Sequence, residues 1–253
     1  MSPKTAKNSV RPITKPAKKE GASAKSKGTT TTTSSSSTSS SFDGFSEDTI
    51  EYFKKLKKHN VREWFQANKE FYETHVSEPM TKLALELQPT FGAIKVYRPY
   101  RDVRFSADKS PLKEHCAMSS PGAGKSGCGG YYFHVKETEY MMATGMYVPD
   151  AKQLNKFRQL VATPAEALKI HALLDELAQH GFVLVEEGKL TSAPKGYSKD
   201  HAEINLLRYK SLAISYKRPI DDNLFDGAAC LKLVKDGWTL AGKWSKWLDE
   251  NVM

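Results

Sequence analysis

Helical and strand patterns follow one another irregularly along residues 42–253 of this chain. Strand patterns crowd between Ile94 and Val148, one more covers Ser211 to Lys217, and helical patterns lie before, between and after them. A regular alternation of single strands with single helices would indicate parallel βαβ units, and this order lacks it. We therefore predict a single α+β domain in which a mixed or antiparallel sheet packs with several helices.

Capping residues mark where several of the helices begin. Asn60 lies three residues before Glu63, which is the spacing of a capping box. Asp150 precedes an apolar stripe, and Thr163 stands directly before Pro164. The predicted helices run from Ser46 to Lys58, from Asn60 to about Ser77, from Glu78 to Leu87, from Asp150 to Val161, from Thr163 to Gly181, from Leu224 to Asp236 and from Thr239 to Asn251.

Alternating side chains and turn residues mark the candidate strands. These strands are Ile94 to Arg98, Tyr100 to Phe105, Tyr131 to Lys136, Tyr140 to Val148 and Ser211 to Lys217, with a small hairpin formed by Phe182 to Val185 and Lys189 to Ser192. A Gly-rich stretch, PGAGKSGCGG, separates two of them. Its GAGKS resembles part of a phosphate-binding loop, but Ser119 stands where that motif needs its first glycine, so we interpret it as a surface loop.

Residues 1–41 differ in composition from the rest and carry +7 of the net charge of +9. They pass from Lys, Pro and Ala into TTTTTSSSSTSSS, which offers almost no apolar area to offset the entropy of ordering. We predict a disordered basic tail that serves either as a solvated linker or as a tether for nucleic acid or an acidic partner. The remaining charge of +2 argues against a broad nucleic-acid surface on residues 42–253.

Cysteine usage and hydropathy indicate the compartment. The chain has three cysteines without a CxxC pair, which is a poor disulfide framework. Its first residues are polar and lack the apolar core of a secretory signal, and no apolar run approaches the length of a membrane span. We therefore expect an intracellular protein, cytoplasmic or nuclear, that is neither secreted nor bound to a membrane.

Positive side chains are concentrated in a first charged segment, Tyr97 to His115, and their spacing predicts an anion site. Arginine binds phosphate or carboxylate oxygens through a planar fork, and lysine supplies a mobile point charge. The predicted anion ligands are Arg101, Arg104, Lys109 and Lys113, and the predicted orienting carboxylates are Asp102 and Asp108. The alternative is a structural network of ion pairs that fixes a loop, and the sequence leaves both open.

A second charged segment, Ala193 to Lys210, contributes Lys195, His201 and Arg208. His201 follows Asp200, and histidine is the side chain whose ordinary pKa lies near neutrality. We therefore predict that His201 is a general acid or base, assisted by Asp200, in a pocket where the two segments meet.

Two classes of function fit such a pocket. The first is an anion-binding or phosphate-binding domain that acts as an enzyme on a phosphorylated small molecule or nucleotide. The second is a non-catalytic module that binds RNA or an acidic protein, aided by the basic tail. A phosphate-containing ligand is the expected partner, and the sequence identifies no cofactor.

Metal binding is not predicted. The residues that could form a zinc site are His115, Cys116, Cys128 and His134, and no pair of them has the CxxC or HxxxH spacing of a metal motif. Buried thiols and hydrogen-bonded histidines explain these residues better.

Four motifs together resemble a widely distributed family, domain of unknown function 2461. The motifs are REWF at Arg62 to Phe65, YRDVRFSADKSPLK at Tyr100 to Lys113, GMYVP at Gly145 to Pro149, and APKGYSKDH with LLRYK between Ala193 and Lys210. The resemblance extends from about Phe45 to Trp247. Leu112 stands where the family usually has tyrosine, and membership implies no particular reaction.

Overall fold

An antiparallel sheet of six strands organises the structure, a computed structural model that describes residues 41–104, 107–122 and 130–253. The strands are β1 (Lys95–Val96), β2 (His115–Ser119), β3 (Tyr131–Lys136), β4 (Glu139–Met146), β5 (Val183–Leu184) and β6 (Leu212–Pro219). Their order across the sheet is β1-β2-β3-β4-β6-β5, and every neighbouring pair is antiparallel. The predicted α+β class is confirmed.

The helices lie before, between and after these strands. They are α1 (Glu47–Lys58), α2 (Arg62–Ala67), α3 (Lys69–Tyr72), α4 (Glu78–Phe91), α5 (Ala151–Val161), α6 (Pro164–Gln179), α7 (Ile204–Leu207), α8 (Asp222–Phe225) and α9 (Gly227–Asn251), with a π-helical turn at Glu73–Ser77. The π-helical turn lies where a break near Ser77 is predicted, just before Pro79. No described helix is long and apolar enough to cross a membrane.

The helices α4 and α9 cover one face of the sheet. α9 packs along β4, and α4 packs against β1 and β2. Phe133 and Val135 of β3 and Trp244 of α9 are fully buried in the hydrophobic core. Side chains alternate along a strand, so Tyr132 and His134 of β3 point to the opposite face of the sheet.

Several predicted helix starts are confirmed. Ser46 precedes α1, and the carboxylate of Asp150 accepts the Gln153 N–H at 2.8 Å, which caps α5. α6 begins at Pro164 as expected. The Thr163 hydroxyl, however, donates to a carbonyl of α5 instead of capping α6.

Asn60 does not cap α2 as predicted, because its side chain is used elsewhere. The N-cap of α2 is Val61, which has no side-chain acceptor. The amide of Asn60 instead accepts the Leu112 N–H and donates to the Leu112 carbonyl, both at 3.1 Å. A local capping rule cannot predict a contact between residues so far apart in sequence. This contact attaches the first charged segment to the start of α2.

We expect Asn60→Ala to lower the free energy of unfolding by about 2 to 4 kcal/mol, measured by urea denaturation. Leu112 is fully buried, so its N–H would lose its partner without access to water, and its carbonyl would keep only a hydrogen bond from Arg101 at 3.4 Å. The matched control is Asn155→Ala on the exposed surface of α5, which should change stability by about 0.5 kcal/mol or less. Equal effects of the two substitutions would contradict this role of Asn60.

One continuous helix, α9, replaces the two helices predicted near the C-terminus. The predicted break lies around Gly237, because glycine has a low helix propensity. A Cβ atom at Gly237 would lie 2.7 Å from the Met142 sulfur. The glycine therefore allows a close approach between α9 and β4 and does not end the helix.

Long-range pairing corrects two strand predictions and adds one strand that was not predicted. β5 pairs with β6 and not with Lys189 to Ser192, so the predicted hairpin is wrong. β2 lacks an alternating pattern because four consecutive residues, Cys116 to Ser119, are buried, and it was not predicted. The predicted strand from Tyr100 retains a single bridge, between Tyr100 and Leu112.

Some predictions concern residues outside the described ranges. The predicted disordered tail, apart from Ser41, lies there, and so does the part of the predicted surface loop from residue 123 to 129, which includes Cys128.

Candidate functional site

A cavity of about 550 Å³ lies on the sheet face that points away from α9. β4 shows this division, because Met142 contacts α9 whereas Met141 and Ala143 line the cavity. The other walls include Tyr97 and Tyr147. A volume of this size is typical of pockets that bind small molecules. We call it the sheet-face cavity.

Cross-strand register fixes which side chains meet in the sheet-face cavity. His134 of β3 lies opposite Met141 of β4, which lies opposite Lys217 of β6. The next row places Tyr132 opposite Ala143, with Ser215 beyond it. Opposite residues of an antiparallel pair share a face, so the pairing brings these groups into one wall without any loop.

The two ends of the cavity differ in chemistry. Small residues form the floor at one end: Ala143, Gly145 and Ala213. Imidazole and ammonium groups line the other end: His115, His134, Lys136 and Lys217. The cavity is therefore suited to a molecule with an apolar or flat body and a polar group at one end.

The two histidines of this basic end are neighbours on β2 and β3. Their ring centroids are 5.3 Å apart, and His134 Nδ1 lies 3.2 Å from the Tyr132 hydroxyl. His134 Nε2 is buried and has no hydrogen-bond partner among the described residues. A buried polar atom without a partner is costly, so a new hydrogen-bond partner for this nitrogen would be favourable.

Burial keeps both imidazoles neutral near neutral pH. Burial, with the charges of Lys113, Arg101 and Lys136, lowers the pKa of His115 to about 4. Burial, with His115 and nearby lysines, lowers the pKa of His134 to about 3. A neutral imidazole can donate one hydrogen bond and accept another, which is the property required of a hydrogen-bond partner for a ligand.

The carboxylates that line the cavity already have partners. Glu139 forms an ion pair with Lys136 at 2.9 Å, and Glu187 accepts a hydrogen bond from the Tyr147 hydroxyl at 2.5 Å. Lys217 adds a further positive charge next to His134. Among the described residues that line the cavity, Lys217 is therefore a cation whose charge no ion pair offsets.

The model of a conserved hypothetical protein family, DUF2461, matches residues 48–247, which is most of the chain. This chain belongs to the DUF2461 family. The matched range contains the whole sheet, the sheet-face cavity and both charged segments. A search of curated proteins found no match.

The DUF2461 motif GMYVP contributes directly to the cavity. Gly145 is part of its floor, and Tyr147 closes the end near Glu187. Tyr97 and His115, the two ends of the first charged segment, also line it. Of the four motifs, GMYVP therefore contributes residues to the cavity, while Tyr97 and His115 flank the motif that runs from Tyr100 to Lys113.

Most predicted anion ligands of the first charged segment have partners within that segment. Arg101 forms an ion pair with Asp108 at 2.6 Å, while its Nε is buried without a partner among the described residues. Arg104 and Asp102 form an ion pair at 2.6 Å, and the hydrogen bonds from Arg104 lower the pKa of Asp102 to about 2.

The two lysines of this segment contact backbone carbonyls. Lys109 Nζ donates to Val103 O at 3.0 Å, and Lys113 Nζ donates to Arg98 O at 3.1 Å. These contacts favour the structural alternative for Arg101, Arg104 and Lys109, since they fix the loop that precedes β2. Lys113 differs, because it lies two residues before His115 at the margin of the cavity.

The second charged segment of this DUF2461 domain packs against α5 and α6. Arg158 of α5 donates to Leu207 O at 3.0 Å, and His171 of α6 lies 2.6 Å from a Glu203 carboxylate oxygen. The segment connects β5 to β6, whereas the first segment connects β1 to β2. The two segments are therefore attached at opposite edges of the sheet, with the sheet-face cavity on the strands between them.

His201 contributes a hydrogen bond to the backbone of this segment. Its Nδ1 accepts the Glu203 N–H at 3.0 Å, and the backbone N–H of Asp200 donates to the Ser198 hydroxyl at 3.1 Å. Lys195 is exposed, and Arg208 Nε is buried without a partner among the described residues. The convergence of His201 with Arg101 and Arg104 in one pocket stays a prediction.

The structure places the described residues that could form a zinc site on different sides of the sheet. His115 and His134 face the cavity, whereas Cys116 lies on the opposite side in the core, where burial raises the pKa of its thiol to about 12. Within the described ranges, no three side chains of His, Cys, Asp or Glu are placed to hold a metal ion.

The cavity residues of β3 were not predicted, although a signal for them exists. In YYFHVK the polar positions Tyr132, His134 and Lys136 alternate with the apolar positions Phe133 and Val135. This pattern indicates a strand with one face outside the core, and two of its outward residues carry ring systems able to bind a ligand.

Proposed function

We propose that this DUF2461 domain binds a small anionic organic molecule, such as a phosphorylated metabolite or a nucleotide, in the sheet-face cavity. The observation that carries the proposal is the division of the cavity into a floor of small residues and a basic end. Pockets for small molecules combine an apolar lining with a few polar groups that fix orientation.

The anionic group of the ligand lies at the basic end. Lys217 supplies charge there beside the Lys136–Glu139 ion pair, and the neutral rings of His115 and His134 supply hydrogen bonds. The buried Nε2 of His134 gains a partner when the anion binds. Hydrogen bonds that involve a charged group are stronger than neutral ones, so this end contributes most of the specificity.

The body of the ligand lies on the floor. Ala143 and Ala213 have short side chains, so a flat ring can approach the strands closely. Tyr97 and Tyr132 border this space and offer aromatic surfaces. Contacts between aromatic rings favour offset or edge-to-face arrangements, which suits a ligand with an aromatic body.

An enzymatic form of this function uses His134 as the proton-transfer group. Its ring is neutral, it is oriented by the Tyr132 hydroxyl, and its second nitrogen is buried without a protein partner among the described residues. His201 is the alternative for this role, and its Nδ1 accepts the backbone N–H of Glu203.

Filling the floor tests the proposal. The probes are adenosine monophosphate, phenyl phosphate and benzoate, and the readout is the ligand-induced shift in melting temperature. At a concentration of about ten times Kd we expect one or more probes to raise the melting temperature of the wild type by about 3 °C. Ala143→Leu should abolish this shift, because the larger side chain occupies the floor.

The matched control is Ala178→Leu on the exposed surface of α6, which should keep the shift. No shift with any probe, or the same shift in Ala143→Leu, would contradict the proposed site. Binding of a single-stranded RNA oligomer that Ala143→Leu leaves unchanged would instead support a nucleic-acid module that acts away from the cavity.

A further inference from the structure

Two lysines lie near the Tyr97 ring at the margin of the sheet-face cavity, and the charge of Arg98 acts on one of them, Lys113. Lys113 Nζ lies 5.2 Å and Lys95 Nζ lies 5.9 Å from the centroid of the Tyr97 ring. Lys113 Nζ also donates to the backbone carbonyl of Arg98 at 3.1 Å. Tyr97 itself lines the cavity, so this group of cations adjoins the proposed ligand.

The positive charge of this cluster is offset only in part, by Asp102, whose pKa the charge of Arg98 helps to lower. Asp102 and Asp108, the aspartates of the same segment, pair with Arg104 and Arg101. None of Lys95, Arg98 and Lys113 forms an ion pair with a carboxylate of the described residues. Burial, with the charges of Arg98, Arg101 and Lys95, lowers the pKa of Lys113, which is the expected effect of cations that lie close together.

Strand pairing holds the cluster on the cavity side of the sheet. Lys95 of β1 lies opposite Ser119 of β2, and the Ser119 hydroxyl is 2.8 Å from the Tyr97 hydroxyl. Lys113 precedes His115 by two residues, and His115 belongs to the basic end of the cavity. The positive region therefore continues from the cavity to the edge of the sheet at β1.

We infer that Lys95, Arg98 and Lys113 form a second anion subsite beside the sheet-face cavity, and that the ligand carries two separate anionic groups. The inference rests on the proposed function, because one anionic group occupies the basic end and the other lies over Tyr97. The ligand class is an organic molecule with two phosphate or carboxylate groups on one body. Two cation groups at separate positions select such a molecule over one with a single charge.

The test compares adenosine monophosphate with adenosine bisphosphate, which carries phosphates on both the 3′ and the 5′ oxygen, by isothermal titration calorimetry. The wild type should bind the bisphosphate about tenfold more tightly, because the second phosphate gains charge-assisted hydrogen bonds. Replacing the two exposed cations in a Lys95→Ala/Arg98→Ala variant should remove this gain and leave the affinity for the monophosphate unchanged.

The control variant, Lys235→Ala/Lys246→Ala, removes the same number of charges from the exposed surface of α9 and should keep the gain. Equal binding of the two nucleotides by the wild type overturns the second subsite and leaves the proposed function intact. A gain that persists in Lys95→Ala/Arg98→Ala also overturns it. If neither nucleotide, phenyl phosphate nor benzoate binds, the inference and the proposed function fail together.

Discussion

Gly145→Ala should lower the free energy of unfolding by about 3 to 5 kcal/mol. Gly145 has a φ of +98°, a region that residues with a Cβ rarely adopt. A Cβ atom there would lie 2.5 Å from the Leu212 carbonyl oxygen. That oxygen accepts the Trp244 Nε1–H at 2.8 Å, so the substitution would disturb both the β4–β6 pairing and the contact between α9 and the sheet.

Urea denaturation measures this effect, and Gly196→Ala is the matched control. Gly196 has a φ of +91°, but a Cβ atom there would meet no atom within 4 Å. It should therefore show only the conformational cost, about 1 to 2 kcal/mol. Similar losses in the two variants would mean that the clash with the Leu212 carbonyl does not contribute.

Acid should destabilise this protein through His115 and His134. Their folded-state pKa values are lowered to about 4 and about 3, whereas an unfolded histidine titrates near its ordinary value of 6.5. The unfolded chain therefore binds more protons as the pH falls below about 6.5. The stability contributed by the two neutral rings is complete above that value, declines as the pH falls, and is lost once the folded-state pKa values are passed.

At about pH 5 this loss should be about 2 kcal/mol for each histidine, relative to about pH 7.5. Burial is the main cause, and Lys113, Arg101, Lys136 and Lys217 are the cations that further oppose protonation of the two rings. The measurement is the change in the free energy of unfolding between the two pH values. A His115→Gln/His134→Gln variant should lose about 4 kcal/mol less than the wild type over this interval.

His180→Gln is the control for this pH dependence, because His180 is exposed at the end of α6. It should keep the acid-dependent loss of the wild type. An equal loss in the His115→Gln/His134→Gln variant and the wild type would show that other groups cause the acid sensitivity.

Local signals predicted the helices well and failed where a residue serves a distant partner. Asp150 caps α5 because its neighbours in sequence are also its neighbours in space. Asn60 has an equally good capping pattern, yet its side chain contacts the backbone of Leu112 instead. Local propensity also fails at Gly237, because this glycine leaves space for Met142 of β4 and does not end the helix.

The candidate site was harder to predict than the fold, because the residues with the highest charge density do not form the sheet-face cavity. The concentration of arginine and aspartate after Tyr97 is visible in the sequence, but Arg101 and Arg104 pair with carboxylates only a few residues away. The sheet-face cavity depends on pairing of β4 with β6, which are separated by α5, α6, β5 and α7. The alternation of polar and apolar residues around His134 is the local signal in the sequence that indicates this cavity.

The short outer strands have a consequence for self-association. β1 and β5 each contain two residues, so the rims of the sheet present few unpaired N–H and C=O groups to another molecule. Addition of a foreign strand needs a long, flat row of such groups. A protein can therefore leave a broad side of its sheet open to a ligand without offering neighbouring copies a template for fibril growth.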